Sequence, residues 1–171
     1  MENASKALII AASVLLGVMI ISIGVVLFQI FSGFSADNIK KMEEKQISEF
    51  NSSYLKYYGT ITYTDKTTNK EATKPIEVTA HDIISVANNA KQNNSKYELT
   101  EQRTYAESSY YIQVQVNRDM NFEKATEEEY SNFLKENSLN QDNETKYYIC
   151  KEVKISSLTK RVIFVKFEEY K

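Results

Sequence analysis

Few side chains in this sequence can do chemistry, and their spacings decide what each is. His81 and Asp82 are adjacent, and an imidazole oriented by a carboxylate is a usual base of nucleophilic catalysis. No nucleophile is placeable beside them, and Thr79-x-x-Asp82 has the spacing of a helix capping box, which gives the carboxylate a local task. Cys150 is the one thiol, so neither an intramolecular disulfide nor a cysteine metal cage can form. Strand alternation sets it with Tyr148, Glu152 and Lys154, opposite Ile149, Val153 and Ile155, and no cationic cluster adjoins it to depress its pKa. Asp119-x-Asn121-x-Glu123 opens like a calcium loop. However, Lys124 occupies the sixth position, where the sharp turn needs glycine, and Tyr130 the twelfth, where a bidentate glutamate belongs. Glu127, Glu128 and Glu129 follow Thr126 in a second capping pattern, at a helix start whose dipole favours negative charge. The four glycines, Gly17, Gly24, Gly33 and Gly59, build no phosphate-binding loop. Asn51, Asn93 and Asn143 open Asn-x-Ser or Asn-x-Thr triplets, which arise by chance in a chain so rich in these residues. No catalytic, cofactor or metal residues are expected, and the protein is read as non-enzymatic.

Charge narrows the partners. The 171 residues carry 21 Lys and Arg against 23 Asp and Glu, a net charge of −2. Nucleic-acid binding calls for a basic cluster, and none stands out, so no nucleic-acid partner is expected. The average conceals two different polymers. Residues 7–31 contain no charge, whereas all 12 tyrosines lie between Tyr54 and Tyr170.

The uncharged run needs a solvent other than water. Its 25 residues span roughly 37 Å as a helix, against a hydrocarbon core of about 30 Å. Sixteen of them are Leu, Ile, Val or Phe, which together favour insertion by about 5–10 kcal/mol. The run exceeds a usual signal-peptide core, and Phe34 stands where a small residue should precede a cut after Ala36. An uncleaved signal anchor in a lipid bilayer is expected, the chain crossing once. Lys6 lies on one side of the span and Lys40, Lys41 and Lys45 on the other, a count that alone favours a cytoplasmic head. Glu43 and Glu44 follow the second set directly and weaken that count. Ser13, Gly17 and Gly24 recur on one helical face, where a second helix can approach closely for self-association or a membrane-complex partner.

Beyond the span, Ser32-Gly33-Phe34-Ser35 predicts a bend. A helical pattern then resumes, with Ile39, Met42, Ile47, Phe50, Tyr54 and Tyr57 forming an apolar stripe to pack on the head, and Gly59 ending it. Thr60 to Thr64 alternates as a strand, and Pro75–Val78 reads as a short edge strand. A helix follows from Thr79, stopped at Asn93-Asn94. Lys96–Tyr105 and Tyr110–Asn117 read as strands, Thr126 opens another short helix, and Lys146–Ile155 and Lys160–Tyr170 are the last strands. The expected fold is α+β: a long N-terminal helix packed on an antiparallel sheet of about five strands with two short helices. The expected domains are a tail at 1–6, a transmembrane helix at 7–31, a juxtamembrane amphipathic helix at 32–58 and a head at 59–171.

Three stretches carry a resemblance: the N-terminal MENASKALIIAASVLLGVMIIS, Ile47 to Gly59, and Thr79 to Asn94. They cover about a third of the chain and resemble a group of small membrane proteins of Clostridia-type Firmicutes, which brings no established activity with it. In architecture the chain is similar to type IV pilins and pseudopilins, though no glycine cleavage motif of a prepilin precedes the apolar run. That likeness implies a head outside the cytoplasm and a subunit assembled through its N-terminal helix. The expected function is a membrane-anchored structural or interaction protein. The alternative is a ligand-binding sensor or accessory subunit of a membrane complex, with Tyr105, Tyr110, Tyr111, Tyr147 and Tyr148 lining a sugar or peptide site.

Overall fold

The computed structural model describes residues 2–67, 69–140 and 142–170, the side chains of 36 and 37 excepted; Met1 of the expected tail, Thr68, Gln141 and Lys171 lie outside them. The chain forms two compact units, 1–46 and 47–171.

The first unit is helix. α1 runs Glu2–Leu55 and continues through the predicted bend at residues 32–35, because nothing there removes a backbone donor or crowds the helical ladder. Every Leu, Ile, Val and Phe from Leu8 to Phe34 is more than half exposed. This is one helix long and apolar enough to cross a membrane. Ser13 and Ser22 return their hydroxyls to the Ile9 and Val18 carbonyls, both at 2.8 Å, so they add no unsatisfied donor to it. Of the predicted apolar stripe, Ile39 and Met42 fall in the first unit and Ile47, Phe50, Tyr54 and Tyr57 in the second, where Tyr54 is buried in the core and Phe50 and Tyr57 pack against it.

The second unit is α+β as expected, and among the described residues it has six strands in two sheets where about five in one were expected. β1 (Thr60–Thr64) and β2 (Glu71–Pro75) form an antiparallel hairpin. β3 (Glu77–Val78), β4 (Gln113–Val116), β5 (Tyr148–Ile155) and β6 (Val162–Glu169) form the larger sheet, in the order β3-β5-β6-β4. β5 and β6 are an antiparallel hairpin, and β4 runs parallel to β6, which makes the sheet mixed. A parallel neighbour needs a crossover connection, supplied by the segment from Asn117 to β5 that carries a 3-10 turn (Phe122–Lys124) and α3 (Glu127–Asn137).

Both predicted capping boxes are formed. Thr79 starts α2 (Ala80–Lys96) and Thr126 starts α3, each hydroxyl accepting the amide three residues on while that residue's carboxylate accepts the threonine amide. α2 runs past Asn93-Asn94 because those amides are engaged elsewhere, and the left-handed residue that follows it is Glu98, with φ 57°. The predicted strand at 96–105 is absent: the chain there is the end of α2 and an irregular segment. The core gathers Tyr54 of α1, Ile83, Val86, Ala87 and Ala90 of α2, Tyr130 of α3, and Val114, Tyr148, Val165 and Phe167 of the sheet.

Candidate functional site

The residues singled out in the sequence scatter. His81 is exposed in the first turn of α2, and its carbonyl accepts the Ser85 hydroxyl at 2.9 Å. Asp82 accepts the Thr79 amide at 3.0 Å and the Tyr57 hydroxyl at 3.5 Å, so its carboxylate holds the helix start. Cys150 shares a buried face with Tyr148, as the alternation predicts, but not with Glu152 and Lys154. A register shift between Cys150 and Glu152 reverses the strand's alternation, and the thiol lies buried in the core, its pKa pushed up to about 12 by that burial. Among the described residues no group of three His, Cys, Asp or Glu is placed to hold a metal ion.

The five tyrosines stand in different surroundings, with Tyr147 half-buried. Tyr111 and Tyr148 are buried, and burial raises both hydroxyls, Tyr148 to about 12. Tyr148 donates to Asn137 Oδ1 at 2.8 Å, Tyr111 to Glu123, and Tyr105 accepts from Lys154. Tyr110 stacks on Tyr97 with centroids 4.6 Å apart.

The structure instead assembles polar groups that the sequence reading missed, along the outer edge of β4. Asn94 donates to the Ile112 carbonyl at 2.9 Å and accepts its amide at 2.8 Å, so the side chain pairs as a neighbouring strand would. Glu123, 1% exposed, accepts the Val114 amide at 2.8 Å and the Tyr111 hydroxyl on its other oxygen. The Val116 amide donates to the Asp119 carbonyl at 2.9 Å. Burial raises the Glu123 pKa against the lowering effect of these donors. Beside Glu123 lies a cavity of about 290 Å³ walled by Lys91, Ser95, Thr100 and Lys124. Both lysines are occupied: Lys91 donates to the Ala125 carbonyl at 2.9 Å and Lys124 to the Thr100 carbonyl at 2.8 Å.

A second cluster centres on Arg161. Its guanidinium lies 3.8 Å from the Phe50 ring centroid and donates to Tyr97 Oη at 2.8 Å and Asn93 Oδ1 at 2.9 Å. Asn93 in turn donates to the Tyr110 carbonyl at 2.7 Å. Asn51 of α1 accepts the Val162 amide at 2.9 Å and donates to the Lys160 carbonyl at 2.8 Å. Of the three glycosylation-like triplets, Asn51 and Asn93 are thus buried and fully engaged. Comparison with protein-family models, curated proteins and solved structures returned no match. The missed asparagines did leave a signal. Asn94 continues the α2 core positions Ile83, Ala87 and Ala90 at helical spacing, and Asn51 stands between Ile47 and Tyr54. An amide on an apolar stripe marks a buried partner.

On α1, Ser13 and Gly24 are exposed and Gly17 is half-buried, and a Cβ added at either glycine meets nothing within 4 Å. Their side of the helix is open to close approach.

Proposed function

We propose that this chain is a membrane-anchored, non-enzymatic structural or interaction protein. The 7–31 stretch of α1 remains in the bilayer as a signal anchor, the head lies outside the cytoplasm, and the subunit is pilin-like, assembled with copies or partners through its helix. One observation carries the reading: from Leu8 to Phe34 every large aliphatic and phenylalanine side chain is more than half exposed. Water opposes such a surface and hydrocarbon accepts it. The polar clusters of the head support the same reading, since their donors and acceptors serve backbone and side-chain groups of the fold itself.

A ligand-binding accessory role has one feature in its favour, the cavity beside Glu123. At about 290 Å³ it is at the lower limit for a small-molecule site, and of the five tyrosines only Tyr111 reaches it.

Alkaline carbonate washing of membranes holding the full-length chain tests the anchor, and retention in the pellet is expected. Release, or a mature N-terminus beyond Phe31, overturns it. Detergent extracts containing only monomers and no co-purifying partner overturn the assembly role. Protease added to intact cells should digest the head; a protected head overturns the orientation.

A further inference from the structure

The head treats two strand edges in opposite ways. Along β4, outward backbone groups are met by Asn94, by Glu123 and by the Asp119 carbonyl. Along β1, no such cover exists among the described residues. The hairpin's own bonds decide which groups β1 leaves bare. The Asp65 amide donates to the Lys70 carbonyl at 2.9 Å, and the Ile76 amide to the Gly59 carbonyl at 3.1 Å. Between these pairs lie Ile61 opposite Lys74 and Tyr63 opposite Ala72. Antiparallel alternation therefore aims the backbone groups of Ile61 and Tyr63 at β2, and those of Thr60, Thr62 and Thr64 away from it.

All five β1 residues are exposed, and none is charged or proline, the devices that ordinarily protect an edge. β2 carries those devices, with Glu71, Lys74 and, at an outward position, Pro75, which has no N–H. Only one edge of the hairpin is guarded.

We infer that β1 pairs antiparallel with β1 of a second copy of this chain, about a two-fold axis through Thr62. The register is self-complementary. Thr62 meets its own copy and Thr60 meets Thr64, three pairs that each exchange two backbone bonds, about six in all. Ile61 then meets Tyr63 at the positions where side chains come closest, a β-branched–aromatic pair made twice on one face. The threonines occupy the other face. A one-residue slip replaces both Ile–Tyr pairs with mismatched neighbours. Pairing also turns two marginal two-stranded ribbons into one four-stranded sheet. Five residues a side make a small interface for a soluble dimer. The inference therefore rests on the proposed anchoring, since confinement to a bilayer raises the local concentration of copies.

The test uses the full-length chain in membranes. Thr62→Cys should give a disulfide dimer under mild oxidation, and Thr73→Cys, on the guarded edge, should not. Mixed Ile61→Cys and Tyr63→Cys chains should cross-link to each other in preference to themselves. Thr62→Lys, which sets two like charges across the axis, should abolish that mixed cross-link without changing the thermal melt, since β1 is exposed. Thr62→Cys dimers no more abundant than those of Thr73→Cys overturn the inference, as does a cross-link formed only to a different protein. A mixed Ile61→Cys/Tyr63→Cys cross-link that survives Thr62→Lys also overturns it, while leaving the anchored structural role standing. Carbonate release of the wild type removes the anchoring itself, whatever the cross-links show.

Discussion

The buried Glu123 carboxylate accepts the Val114 amide at 2.8 Å, so an acid side chain occupies the place of a missing strand at the edge of the sheet. Tyr111, donating to the other carboxylate oxygen, completes the arrangement. Nothing on the outer side of β4 is left to pair with another chain at that point, which is how natural sheets protect an edge.

Glu123→Ala strands two buried donors, the Val114 amide and the Tyr111 hydroxyl, and should cost about 3 kcal/mol of head stability. Glu123→Gln keeps an acceptor for Val114 and should cost about 1 kcal/mol. Urea titration of the full chain in detergent micelles, followed by tyrosine fluorescence, measures both. Equal losses would show that the carboxylate's bonds are not what stabilises the edge.

The same residue has a pH signature. Burial holds the Glu123 carboxyl above its ordinary value of 4.5, so the folded state binds that proton more tightly than the unfolded chain. The penalty for its charged form is fully present above the raised folded value, and it is relieved as pH falls from there towards 4.5. Glu129 has the opposite sign: bonds from Thr126 hold it low, so its contribution is present above the ordinary value and lost as pH falls through the lowered one. Over the window just above 4.5, wild type should lose less stability on acidification than Glu123→Gln. Parallel pH profiles of the two would show that Glu123 does not titrate as its burial requires.

Arg161 joins α1, α2 and the β5–β6 turn by its stack on Phe50 and its bonds to Tyr97 and Asn93. Lysine cannot hold a planar stack and two divergent acceptors together. Arg161→Lys should therefore cost about 1–2 kcal/mol and Arg161→Ala about 2–3 kcal/mol, read from the same urea midpoints. A lysine variant as stable as wild type would reduce the cluster to simple charge.

Gly17→Leu combined with Gly24→Leu should reduce cross-linked oligomers while the helical circular dichroism stays unchanged, because an added Cβ at either site meets nothing within 4 Å. The loss would then report packing between helices rather than a broken helix. Unchanged oligomers would exclude this face.

Cys150 should resist thiol reagents in the folded protein, since it is buried and its pKa is pushed up to about 12. Labelling should appear only with unfolding. The side of the membrane that holds the head is therefore better read from an introduced thiol, such as Ser157→Cys on the exposed β5–β6 turn. Rapid labelling of native Cys150 would contradict its place in the core.

What the sequence determined alone were the features whose causes lie within a few residues or in bulk composition. The uncharged run at 7–31 specifies an apolar helix because its hydrophobicity is summed along the chain, without any partner. Thr79 with Asp82 and Thr126 with Glu129 specify helix starts because capping bonds span three residues. The tertiary structure decided whatever depends on segments far apart in the chain. Asn51 meets β6 across more than a hundred positions, β4 lies parallel to β6, and a register shift parts Cys150 from the face of Glu152. The end of α1 shows the division within the second unit: periodicity marks Phe50, Tyr54 and Tyr57 as one apolar face, and only folding supplies the core that covers them.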